Sequence, residues 1–140
     1  MLLFAIISAF LSIVFAVTLI YFVKQYPVGT GKQIEIWQAI KEGSRAYLKR
    51  QNYTVSIVAI VVAIILASTL NLITAIGFLI GALASAMAGY LGMMTAIDSN
   101  IRTTEAAKSG LARAFRVAFL GGSVTGFLVV GLGLISVSLF

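Results

Sequence analysis

The chain has 140 residues, 61% of them hydrophobic and 10% charged, with no Cys and no His. This composition excludes a soluble globular domain, a disulfide framework, a thiolate metal site and a histidine general base. The net charge of +6 does not point to a nucleic-acid partner, because the basic residues flank apolar blocks, where the positive-inside effect accounts for them.

All ten Lys/Arg and all four Asp/Glu lie in residues 24–50 and 98–116. The three remaining blocks are uncharged. A helix needs about 20 apolar residues to cross a bilayer's hydrocarbon core; the outer two blocks have that length and the middle one roughly twice it. The predicted fold class is therefore all-α: a polytopic membrane protein with four transmembrane helices and a single membrane domain over residues 1–140. The predicted spans are about 1–23, 51–69, 72–96 and 117–140, with inner loops at 24–50 and 97–116. The expected localisation is a multi-pass integral membrane protein in contact with lipid, in the cell membrane if the source is prokaryotic.

The first block is expected to be a retained helix and not a signal peptide, since it lacks a basic leading region and its apolar run is too long. Its first Lys follows the run, which orients the amino terminus outside and Lys24 inside. Pro27, Gly29, Thr30 and Gly31 form a turn-rich linker. From Gln33 the pattern turns amphipathic: Ile36, Trp37, Ile40, Tyr47 and Leu48 recur at helical steps against Lys41, Glu42, Arg45, Lys49 and Arg50. Only Gly43 interrupts the approach to the next apolar run. The reading is one continuous helix from about Gln33 to Ser68, carrying a short cytoplasmic extension before the second span. The alternative is a helix lying at the interface, anchored by Trp37 and Tyr47.

Ser68, Thr69, Leu70 and Asn71 form the polar break of the middle block, with Asn71 placed to cap the third helix. The third span carries Gly77, Gly81, Ser85 and Gly89 at a four-residue step. The fourth carries Ala114, Ala118, Gly122 and Gly126 in the same way. These eight are predicted helix-packing residues, since small side chains let helix backbones approach closely; a pore wall is the weaker alternative. The hydroxyls of Ser85, Thr95, Ser123 and Thr125 are expected to bond back to their own helices. No ionisable residue sits deep in a span, which argues against an ion path or a small channel or carrier.

Two clusters could carry chemistry. Asp98, Asn100, Arg102 and Glu105 could hold a cation or phosphate, or simply connect two helices, with Asp98 or Ser99 as cap and Arg102–Glu105 as a local pair. Lys41, Arg45, Lys49 and Arg50 could hold anionic headgroups or steer an anionic substrate. No phosphate loop, paired carboxylates or nucleophile–base pair is visible, so no catalytic, cofactor-binding or metal residue is assigned.

The run from Glu42 through Ser44, Arg45, Tyr47 and Arg50 to Gln51 resembles the approach to the second helix of membrane-integral inorganic pyrophosphatases. The resemblance continues through residues 81–93, Asn100-Ile101-Arg102-Thr103, Ala106-Ala107, Gly110-Leu111, residues 119–126 and residues 129–134, in order over essentially the whole chain. It implies homodimeric pumps of about sixteen helices in two rings, which hydrolyse pyrophosphate with Mg²⁺ and move H⁺ or Na⁺ outward. Such a family places its Asp-rich catalytic motifs beyond the fifth helix, and nothing here matches them. The resemblance thus identifies the chain as an N-terminal fragment of such a pump, supplying outer-ring support helices. It is expected to bind no Mg²⁺ and to be inactive alone. Its partners would be the remaining pump helices and, in the complete protein, a second copy. The alternative is a non-catalytic four-helix assembly or interaction protein.

Overall fold

The computed structural model describes residues 2–138, which form four helices: α1 (Leu2–Lys24), α2 (Lys32–Thr69), α3 (Leu72–Ala107) and α4 (Leu111–Ser138). Met1, Leu139 and Phe140, which the predicted first and fourth spans include, lie outside the described residues. All four helices are long and apolar enough to cross a membrane. This is the predicted all-α, four-span class, and no strand is present among the described residues.

The first helix has no polar stripe until Lys24, as expected of a segment surrounded by apolar groups on every side. It stops where the chain reaches Pro27 and Gly29. Gly31, at φ 56°, sits at the N-cap of α2 in a backbone conformation that L side chains rarely adopt. The second helix then runs unbroken for 38 residues, through Gly43 and out of the charged segment into the apolar one. At 1.5 Å per residue it is about 57 Å long, nearly twice the ~30 Å hydrocarbon core, so its charged half projects beyond the apolar layer.

At the opposite end, the Ser68 and Thr69 hydroxyls donate to the Ile65 carbonyl, at 2.9 and 2.7 Å. The Asn71 side chain then caps α3, accepting from the Thr74 amide at 2.8 Å and from its hydroxyl at 2.9 Å. The split expected at residues 70–71 is where the chain turns.

The second charged stretch differs from expectation. Helix α3 does not end near Asp98 but continues to Ala107, so neither Asp98 nor Ser99 caps a helix. The break comes at Lys108, Ser109 and Gly110, where the Ser109 and Gly110 amides donate to Ala106 and Ala107 carbonyls and Gly110 takes φ +119°. A charged helix end costs nothing in water, so the loss of apolar character marks where the membrane ends and not where the helix does.

The helices alternate in direction. Helix α4 packs extensively along both α1 and α3, and α2 leans on α3 alone. The core lies around α4: Ala16, Leu19, Ala88, Val124 and Leu128 pack together, joined by Ile20, Leu120, Phe127 and Leu132. Helix α2 buries only Leu48 and Ala63. Large apolar side chains cover the outer surface of every helix, a surface suited to lipid or to further helices.

Candidate functional site

Because the helices alternate, both charged stretches come to one end of the bundle. There the charged extension of α2 lies along the charged end of α3. The Lys41 ammonium donates to Asp98 Oδ1 at 2.8 Å, with both side chains less than a third exposed. The same ammonium sits 4.4 Å from the centre of the Trp37 ring, adding a cation–π attraction. This contact joins residues 57 positions apart across the two extensions.

Further along α3 the predicted local pair is replaced. Glu105 pairs with Lys108, three residues on, and Arg102 donates from Nη1 to the Asp98 carbonyl at 2.7 Å. From the Lys41–Asp98 pair toward the tips of the two extensions runs a groove of about 140 Å³, lined by Gln33, Ile36, Trp37, Ile97 and Ile101 among others. Gln33 Oε1, Trp37 Nε1 and Arg102 Nε are buried without a hydrogen-bond partner.

The basic set is thereby divided. Lys41 is engaged, while Arg45, Lys49 and Arg50 remain exposed along α2. Among the described residues no three His, Cys, Asp or Glu converge into a possible metal site. Asp98 faces Lys41 and Glu105 faces Lys108.

The small residues fall into two groups. Gly77 and Gly81 are half-buried, Ser85 and Gly89 exposed; Ala114 is buried, while Ala118, Gly122 and Gly126 are exposed. A four-residue step overshoots the 3.6-residue turn by about 40° each time, so such a ridge winds around its helix and does not stay on one seam. A methyl group at Gly81, Gly89, Gly122 or Gly126 would meet nothing within 4 Å. The close approaches lie elsewhere. A Cβ at Gly92 would come within 2.8 Å of Thr125 Cγ2, and one at Gly131 within 3.0 Å of the Ala9 carbonyl oxygen. One at Gly121 would overlap Ser99. Sequence reasoning did not single these three glycines out, because nothing in their spacing separates them from their neighbours.

Back-bonding hydroxyls are plentiful but are not the four expected. Ser12, Thr18, Thr54, Ser99, Thr103, Thr104 and Ser136 each donate to the carbonyl four residues earlier. Ser85, Thr95, Ser123 and Thr125 show no such bond among the described residues. Ser85 and Ser123 instead line grooves between helices, and Thr125 packs over Gly92.

The family model described as inorganic H+ pyrophosphatase matches residues 10–140. A K(+)-insensitive pyrophosphate-energized proton pump of Methanosarcina mazei is 40% identical over 134 residues, covering 94% of this chain and 20% of the pump. A second such pump, of Moorella thermoacetica, is 45% identical over 101 residues, covering 71% of this chain and 15% of its own length. A relative in Clostridium tetani bearing the name of a K(+)-stimulated sodium pump is 33% identical, over 88% of this chain and 18% of its own. The chain thus spans about a fifth or less of the length of these curated relatives.

Proposed function

The chain belongs to the inorganic H+ pyrophosphatase family, and from that premise we propose that it serves as the N-terminal outer-ring helices of a pyrophosphate-energised ion pump. The observation that carries this reading is the likeness to proton pumps along 94% of the chain, against only 20% of such a pump's length. In this role the four helices support a catalytic unit that other helices provide. The complete pump hydrolyses pyrophosphate with Mg²⁺ and moves H⁺ or Na⁺ as a homodimer, while this chain contributes no catalytic residue.

The charged end faces the cytoplasm on this reading, because all ten Lys/Arg gather there and short loops rich in Lys/Arg stay inside. Both termini are then outside, and the paired extensions of α2 and α3 reach toward the side where pyrophosphate is hydrolysed. The exposed Ala118, Gly122, Ser85 and Gly89 have room for a further helix to approach.

The test is pyrophosphate hydrolysis and ion uptake in membrane vesicles that hold the chain alone or the chain with the remaining pump helices. Activity only in the second preparation is expected. Hydrolysis by the 140-residue chain alone would overturn the reading.

A further inference from the structure

Two clefts follow one another along α4, the lower against α1 and the upper against the linker that leaves α1. The upper one, about 460 Å³, opens at the charged end and is lined by Tyr26, Ala112, Arg113 and Arg116. The lower one, about 580 Å³, is walled by Phe15 and Leu19 of α1 and by Leu120, Phe127 and Val130 of α4. On α4 the positions 116, 120, 123, 127 and 130 succeed one another by three or four residues and so form one stripe. The basic cleft therefore sits directly over the apolar groove.

Arg113 and Arg116 have no carboxylate partner among the described residues; the two ion pairs present use Lys41 with Asp98 and Lys108 with Glu105. Two neighbouring guanidinium groups without a counter-charge favour an anion with several oxygen acceptors. The groove beneath offers almost no polar surface to match a soluble anion, since Ser12 and Ser123 are its only side chains with polar atoms. From Arg116 to Val130 the helix rises about 21 Å, against about 15 Å for half the hydrocarbon core, so one leaflet's acyl chain fits along it.

We propose that the α1–α4 seam binds one anionic phospholipid, its phosphate held by Arg113 and Arg116 beside Tyr26 and one acyl chain lying in the groove below. Charge complementarity at one end and an apolar channel at the other suit a single amphiphile, and basic pockets between membrane helices hold anionic headgroups in this manner. The proposal rests on the membrane fold and is independent of the pump reading.

The experiment uses the purified gene product in detergent, challenged with dioleoyl-phosphatidylglycerol, dioleoyl-phosphatidylcholine or inorganic phosphate, and read by native mass spectrometry and thermal melting. Phosphatidylglycerol should stay bound and raise the melting temperature, while the other two do neither. The double variant Arg113→Gln/Arg116→Gln should weaken retention roughly thirtyfold, each basic residue near the surface being worth a factor of about five. Gly126→Phe, at a position where an added Cβ meets nothing within 4 Å, should fold normally and lose lipid by filling the groove. Equal retention of phosphatidylcholine would overturn the proposal, as would the same shift from inorganic phosphate alone, which would mark an anion site without a lipid. Unchanged lipid binding in Gly126→Phe would overturn the acyl-chain position even if the arginine variant failed to fold. A seam occupied by another helix or a second copy would show no lipid preference, which counts against the proposal equally.

Discussion

Lys41 holds the charged end together through two partners at once, the Asp98 carboxylate and the Trp37 ring. An exposed surface pair is commonly worth under ~1 kcal/mol. This one is mostly shielded and joins two separate helices, so it should lie toward the upper end of what such pairs give. In a double-mutant cycle of Lys41→Ala and Asp98→Ala, the coupling energy should be about 1 kcal/mol, read from unfolding in detergent. Lys41→Ala should cost more than Asp98→Ala, because it also removes the ~0.5–1 kcal/mol cation–π contact. A coupling near zero would mean that the extensions are held by packing alone. The sequence shows that Lys41 and Asp98 are charged and close to the membrane, yet not that they meet. Their pairing depends on how far α3 continues past the apolar block, and charge pattern does not report that.

At the scale of elements, the four helices were legible because apolar length and charge spacing are strong signals. The Pro27–Gly31 linker and the Asn71 cap were legible because turn chemistry is local. The α3–α4 turn was not, although Lys108 before Gly110 has the form of a helix C-terminus. Charge places that stretch outside the apolar layer but does not say where within a helix–turn–helix connection the turn falls, because polar residues on a helix end are simply solvated. The eight small residues at four-residue steps were legible as small, but which glycines meet a neighbouring backbone depends on crossing geometry. The close contacts lead to a sharp contrast. Gly131→Ala and Gly121→Ala should each destabilise the bundle by about 1–3 kcal/mol, since a methyl would press on the Ala9 carbonyl or on Ser99. Gly122→Ala, whose methyl meets open space, should be neutral or up to ~1 kcal/mol stabilising through helix propensity. Thermal unfolding of the three variants checks this, and equal effects at all three would remove the distinction. The bulkier Gly122→Leu should leave the chain folded yet weaken its co-purification with the remaining pump helices, if that side of α4 receives one of them.

At the scale of the molecule, the alternating helices gather every charge at one end and leave apolar side chains exposed along their length. A bundle with so little covered surface is stabilised by its surroundings as much as by its own core, so lipid and neighbouring helices belong to its energetics. The absence of Cys makes its orientation directly measurable. Single substitutions Thr69→Cys and Ser109→Cys place thiols at opposite ends, and an impermeant maleimide added outside intact cells should label the first and spare the second. The reverse pattern would invert the topology and place the extensions away from the cytoplasm.

The most direct measurement replaces the matching fifth of the Methanosarcina mazei pump with this chain and assays membrane vesicles for pyrophosphate hydrolysis and proton uptake. If these helices support a catalytic unit built from the rest of the protein, the chimera should insert, hydrolyse pyrophosphate and pump. A chimera that inserts at normal levels but neither hydrolyses nor pumps would contradict the account.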